Sequence, residues 1–313
     1  MSKTLYFAKV NMSQILEIID DDSKIKKVMD KLFMAINNNI EANKIITKKV
    51  DGDSIIETHK FTFSSINKLE NIPSMGLVGS IIKSHQIFVK QIDKKSGEKK
   101  VYPVDNDEII QFFFSPYDEI VVFNTSNKFG YQQVCEAIQL LLNKSIERDE
   151  DNTQIFTVSI LNNGVSIETI KEDLAALGGI DELSVRIVPP NPINKRIREA
   201  IKQNPEKQIK SYQDSKITEY VATFKSSYVG GLDTKSEQIE NELNRAVGIH
   251  TKISDEDLLG NGYVKVYASG MNGIQYNSDD KQAIKVKVED DAVIGDVNWA
   301  KKCRNYIKSL FKK

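Results

Sequence analysis

The chain has 313 residues, with 43 Lys or Arg against 44 Asp or Glu and a formal net charge of −1. That balance excludes any global attraction to nucleic acid or anionic membrane, so binding of that kind has to come from local segregation of charge. A hydrophobic content of 40% with 28% charged residues describes a folded chain, with room for about two domains of ~150 residues each, and no apolar run approaches the ~18 residues of a membrane-spanning helix.

In chain order, Leu5 to Val10 reads as a short strand. Ser13 to Ile36 reads as a helix, because Ile25, Val28, Met29, Leu32, Phe33 and Ile36 recur on one face. Lys44 to Val50 and Ser54 to Phe63 flank Asp51-Gly52, a type I′ hairpin signal. Ile81 to Ile92 and Glu98 to Val104 form a second hairpin, and Glu108 to Phe114 with Glu119 to Asn124 a third. Phe129 to Ser145 is a helix with Val134, Ile138, Leu141 and Leu142 inside. The polar run Glu147 to Asn152 is the expected linker.

Beyond it, Gln154 to Ile160 is a strand and Ser166 caps a helix carrying Ile170, Leu174 and Leu177. Gly178-Gly179 stops that helix, and Leu183 to Val188 returns as a strand. Pro189-Pro190-Asn191-Pro192 forces an extended exit into a basic amphipathic helix, Ile193 to Gln203. Lys207 to Ser227 reads as a polar helix, and Thr234 with Glu237 as a capping box for the stripe Ile239, Leu243, Ala246, Val247. Tyr263 to Ala268 and Ala283 to Val288 are expected to pair as antiparallel strands, with a polar loop from Ser269 to Lys281 between them. The chain closes in a helix whose Trp299, Cys303, Tyr306, Ile307 and Leu310 face inward. The fold class expected is α+β in two domains. Residues 1–150 form a mostly antiparallel sheet with helices; residues 151–313 form a split β-α-β, ferredoxin-like layer with additional helices.

For catalysis the sequence offers little. It has no G-x-x-x-x-G-K-[ST], no G-x-G-x-x-G after a strand, no C-x-x-C, no H-E-x-x-H and no G-x-S-x-G. With only His59, His85 and His250, a multi-histidine metal site has almost nothing to draw on. His59 and His85 lie in strands without an evident partner and read as surface or satisfied histidines. Arg245 and His250 have the Arg-x4-His spacing of some helical ribonucleases, but Gly248 breaks the helix between them. Asp279-Asp280 and Glu289-Asp290-Asp291 read as solvated turns. No cofactor and no metal are expected. Cys135 and Cys303 fall on apolar stripes and read as buried free thiols, which with an N-terminus lacking a signal-peptide core gives a cytoplasmic expectation.

The positive signal is basic. Lys195, Arg196, Arg198 and Lys202 crowd the helix from Ile193, and Lys207 and Lys210 extend the charge. Lys301, Lys302 and Arg304 begin a cationic run in the last helix. Such side chains neutralise phosphates and release counterions, which gives salt-sensitive affinity indifferent to sequence. A basic helix face is also ordinary solvated surface, and only convergence on one face separates the two readings.

The strand, helix, Gly178-Gly179-Ile180 stop and second strand leading to Pro190-Asn191-Pro192, with the Lys195-Arg196-Ile197-Arg198 helix after them, resemble RexA-like phage-exclusion proteins and related bacterial anti-phage proteins. The helix and Asp51-Gly52 hairpin near the start, and Asn261-Gly262-Tyr263-Val264 near the end, extend the resemblance over most of the chain. It implies a two-domain cytosolic protein that dimerises, binds DNA without strong sequence preference and signals infection to an effector, such as a membrane protein encoded nearby. It implies no catalytic residue. The function expected is a non-enzymatic, sequence-independent DNA- or RNA-backbone binder in abortive infection. The alternatives are a metal-dependent nuclease effector and a protein-interaction or sensor module.

Overall fold

β1 (Lys3–Met12) lies in the large sheet with both faces covered: Ala8, Val10 and Met12 enter one core, Leu5 and Phe7 another. The computed structural model describes residues 3–12, 21–50, 53–69, 76–92, 99–146, 156–188, 207–249, 253–280, 283–288 and 297–311. After β1 come α1 (Asp22–Ala35), β2 (Glu41–Val50), β3 (Asp53–Leu69), β4 (Gly76–Ile92), β5 (Lys99–Ser115), β6 (Ile120–Asn124), α2 (Tyr131–Ser145) and β7 (Phe156–Ile160). They are followed by α3 (Ile167–Ala176), β8 (Ile180–Ile187), α4 (Lys207–Asp214), β9 (Tyr220–Lys225), α5 (Glu237–Val247) and α6 (Asp255–Gly260). Next are β10 (Val264–Gly270), β11 (Gln275–Asn277), a 3-10 turn (Ser278–Asp280), β12 (Lys285–Val288) and α7 (Val297–Phe311).

The architecture is α+β, with two antiparallel sheets. The large sheet runs β12-β1-β6-β5-β4-β3-β2, and β7 also pairs with β1. β12 takes Lys3 to Tyr6 and β7 takes Ala8 to Met12, so the two lie end to end along one edge of β1. One face is covered by α1 and α2 through Met29, Leu32, Phe33, Val134, Ile138 and Leu141. The other receives α7 through Trp299, Ala300, Cys303 and Ile307. The small sheet runs β11-β10-β8-β9 and shares a core with α3, α4, α5 and α6.

Local signals set many boundaries. α1 begins at Asp21, whose carboxylate accepts from the amides of Ser23 and Lys24 at 3.0 and 3.2 Å; the expected start at Ser13 lies outside the described residues. Val50 pairs with Asp53, the register that a two-residue Asp-Gly connection requires. Ser166 caps α3 as expected, accepting from the Thr169 amide at 3.2 Å. Gly178 follows α3 at φ +74°, the left-handed conformation that ends a helix cheaply only at glycine. Gly164, at φ +70°, lies so close to α6 that an added Cβ would stand 2.2 Å from the Glu256 carbonyl oxygen.

Several expectations change. The β-α-β unit is divided: β7 joins the large sheet against β1, while β8 lies in the small one. The expected pair Tyr263–Ala268 and Ala283–Val288 is likewise separated, because β10 pairs with β8 and β11, and β12 with β1. The large sheet therefore contains strands from both sides of residue 150. Lys207 to Ser227 is not one helix: α4 stops at Asp214 and β9 follows, its residues alternating between half-buried and exposed. The alternation Tyr220, Ala222, Phe224 is a period of two, which a strand satisfies and a helix does not. α5 is capped by Ser236 rather than Thr234, and no side chain closes that cap. Leu310 is exposed, not inward. The two segments read as Glu98–Val104 and Glu108–Phe114 are one 17-residue strand, equal in length to β3 and β4. Pro103 is tolerated there because β6 pairs only with Phe112 to Ser115, leaving β5 an edge at the proline.

Candidate nucleic-acid interface

The core of the expected phosphate-binding helix, Lys195, Arg196, Arg198 and Lys202, lies outside the described residues. Lys207 opens α4, and Lys210 is exposed on it. Lys301 and Lys302 are exposed on α7. α4 is fastened to the small-sheet core by Ile209 and Tyr212, and α7 to the large sheet by Trp299 and Cys303. The described members of the expected patch thus stand on two cores.

α7 is the more sharply segregated helix. Its sequence, VNWAKKCRNYIKSLF, carries four cations and no acidic residue. Trp299, Cys303 and Ile307 recur every four residues and bury one stripe against Phe7, Val78 and Phe113. Lys301, Lys302 and Lys308 lie off that stripe and are exposed. Arg304 corrects the sequence reading. It follows Cys303 and stands four residues from Ala300, so the helical phase turns it toward the sheet, and it is only 6% exposed. Its guanidinium carbon lies 5.8 Å from the Phe113 ring centroid. Its Nε and Nη2 are buried without a hydrogen-bond partner. Burial lowers the pKa of the guanidinium, and the negative charge of Asp118 opposes that shift.

A second basic face was missed by attending only to the apolar stripe of α1. Lys24, Lys26, Lys27 and Lys31 are all exposed on this 14-residue helix. The signal was the spacing of Lys24, Lys27 and Lys31, three and four residues apart, which places them on one side. Of the acids on α1, Asp30 accepts from the Tyr117 hydroxyl at 2.7 Å. Burial, together with that contact, pushes the Tyr117 phenol up to about 12.

His59 and His85 are both buried. His59 and His85 face each other across β3 and β4 with ring centroids 5.3 Å apart. His59 Nε2 donates to Glu57 Oε1 at 3.0 Å, two residues away on the same face of β3. Lys83 donates to the Lys128 carbonyl at 3.1 Å and the Gln133 side-chain oxygen at 2.9 Å, and lies 5.4 Å from the Phe129 ring centroid. Glu57 and His59 are each 5% exposed, so this pair within one strand offers a substrate no surface. Alternation along Glu57, His59 and Phe61 was legible, but the partners on β4 and α2 were not.

Other candidates are accounted for by local contacts. Arg245 pairs with Glu242 at 2.6 Å and covers the Tyr220 ring at 4.2 Å, while His250 lies outside the described residues. Asp279 is not a solvated turn: it is buried and pairs with Lys265 at 2.6 Å. Its neighbour Asp280 accepts from the Tyr131 hydroxyl at 3.2 Å and from Gln132. A shallow cleft of about 310 Å3 is lined by Gly178, Gly179, Gly230, Asp233, Thr234 and Lys235. Among the described residues no group of three or more His, Cys, Asp or Glu side chains could hold a metal ion, and no helix is long and apolar enough to cross a membrane.

The scaffold is α+β, with a cationic helix free of acidic residues on its large sheet. The chain belongs to the family described as a domain of unknown function, DUF4747, whose model matches residues 26–302. No curated protein matches it.

Proposed function

We propose that this protein is a non-enzymatic, cytoplasmic component of bacterial phage defence that holds DNA or RNA by its phosphate backbone, without reading sequence. The observation that carries the binding role is α7: four cations and no acid on one helix of a chain whose net charge is −1. The exposed lysines of α1 add a second cationic face. The defence role rests on the resemblance in sequence to phage-exclusion proteins. A salt titration of binding to a short DNA duplex and to single-stranded RNA tests the binding role. If Lys301, Lys302 and Lys308 each neutralise one phosphate, the logarithm of the duplex affinity falls with the logarithm of salt at a slope of about −3. Lys301→Glu with Lys302→Glu then weakens binding to every duplex alike. Affinity that stays level from low to moderate salt removes the proposal.

A second reading, a protein-interaction module, is favoured by one observation. Ile45, Ile56, Ile92 and Ile109 are 57–74% exposed on β2 to β5, where the three 17-residue strands run about 57 Å. Light scattering of the purified protein, alone and as Ile45→Lys with Ile56→Lys, distinguishes the readings. Assembly abolished by these changes, with duplex binding absent, favours the interaction module.

A further inference from the structure

We propose that β2 is the seam of a homodimer, in which two copies of this chain join edge to edge through antiparallel β2 strands related by a two-fold axis beside Ile45. The dimer goes beyond both readings above and forms with or without nucleic acid.

β2 ends the order of the large sheet, and among the described residues no strand pairs with its outer side. An edge strand presents a row of main-chain donors and acceptors, and what matches such a row is another strand. Exposed edges are commonly blunted, as β5 is by Pro103 where β6 no longer pairs with it. β2 carries no proline, and its register with β3 runs without a bulge from the Glu41–Thr62 pair to the Val50–Asp53 pair. Lys44, on the covered face, is held by Glu136 of α2. On the open face stand Glu41, Asn43, Ile45 and Thr47, and Ile45, at mid-strand, is 71% exposed. An isoleucine occupies the place where a guarded edge carries a charge.

The charge pattern along the strand selects a second copy and one register. A two-fold axis normal to the sheet pairs only residues of the same face, because a slip of one residue turns every side chain over. Centred on Ile46, residues 42–50 of the two strands meet and Lys44 stands opposite the partner's Lys48. Like charges directly opposite one another destabilise a sheet. Centred on Ile45, residues 41–49 meet, no lysine opposes another, and Glu41 comes opposite the partner's Lys49 at both ends of the seam.

The same register joins the exposed apolar residues. Ile45 lies beside the partner's Ile45. On β3, Ile56 is 74% exposed and stands opposite Thr47, diagonal to Ile45. Ile56, Ile45 and their two counterparts therefore form one stripe across the joined sheet, where in a single copy water surrounds each of them. A seam of 10 residues from each copy is smaller than the ~20–30 of a standard interface, so the dimer is expected to come and go with concentration.

Sedimentation velocity over a concentration series tests the dimer in wild type, Ile45→Lys and Ile45→Glu. Wild type is expected to double from 35.4 kDa as concentration rises. Each variant alone is expected to stay single, because it sets like charges against each other at the axis, and an equal mixture of the two is expected to double again. Cysteines test the register. Ile45→Cys is expected to cross-link to itself under mild oxidation, since opposed Cα atoms lie about 4.5–5.5 Å apart. Thr47→Cys, about 14 Å from its counterpart along the seam, is expected to cross-link only when mixed with Asn43→Cys. The native Cys135 and Cys303 are buried. Should a charged variant fail to fold, the cysteine variants carry the comparison. Wild type that stays single at every concentration overturns the dimer, even if β2 captures a strand of another protein. A dimer that survives Ile45→Lys overturns the seam by placing the contact elsewhere. Self-cross-linking of Thr47→Cys as fast as that of Ile45→Cys overturns the register.

Discussion

Lys9 on β1 and Glu119 at the start of β6 form an ion pair sealed inside the protein, 5% and 1% exposed respectively. Glu119 holds a left-handed backbone, φ +54°, and its carbonyl accepts from the Val10 amide at 2.8 Å, so main chain and side chain both bind it to β1. Removing one partner strands a charge in a low-dielectric interior. Lys9→Met is expected to cost about 3–5 kcal/mol in urea unfolding. Lys9→Met combined with Glu119→Gln is expected to cost less than the sum of the single changes. Strict additivity would show that the pair contributes nothing as a pair.

The two thiols should be inert in the native protein. Burial pushes Cys135 up to about 12 and raises Cys303 further. The thiolate is the reactive form. Near pH 8, a disulfide-exchange reagent is therefore expected to modify neither cysteine until denaturant is added, and then both. Prompt native labelling of either would contradict the burial found here.

Acid sensitivity should pass through Glu108. The Ser126 hydroxyl donates to its carboxylate at 2.6 Å and the Asn106 amide at 3.2 Å, and these bonds hold the carboxyl below its ordinary 4.5. A depressed carboxyl pKa stabilises the fold above the unfolded value, and the contribution is lost as pH falls through the folded value. Ser126→Ala removes the largest cause. The urea midpoint of that variant is expected to trail wild type at pH 7 and to approach it as pH falls through the range in which the carboxyl takes up its proton. A gap of constant size across that range would assign the loss to packing alone.

Two leucines that share a helical pattern should behave differently. Leu243 on α5 is buried at 1% in the small-sheet core, whereas Leu310 on α7 is 39% exposed. Leu243→Ala is expected to cost about 2–5 kcal/mol and Leu310→Ala within about 0.5 kcal/mol, measured by the same unfolding titration. Equal costs would mean that α7 packs differently from the arrangement described.

These contrasts mark how far the sequence could be read. Periodicity placed α1, α2, α3 and α5, and Asp51-Gly52 set the β2–β3 register, because those signals act over a few residues. Strand partners were hidden: nothing in Phe156 to Ile160 says that Lys9 and Val10 lie beside Ser159 and Val158. β9 was lost because Lys, Ser and Thr around it diluted a six-residue alternation. At the site, the charge of α7 was plain, but the inward turn of Arg304 needed the helical phase to be carried one residue past Cys303. The burial of Asp279 depended on Lys265, fourteen positions earlier on β10. A run of like charges shows its own composition and not what will stand opposite.

The bridge between Asn162 and Ala283 brings together the two ends of the segment that carries the small sheet. The polypeptide leaves the large sheet just after β7 and comes back just before β12, at neighbouring points on the same border. Everything between those points is a cassette on a shared doorstep. It is also tied to the large-sheet half from outside that border, since Asp280 accepts from Tyr131 and Gln132 and Gly262 packs against Ser159 of β7.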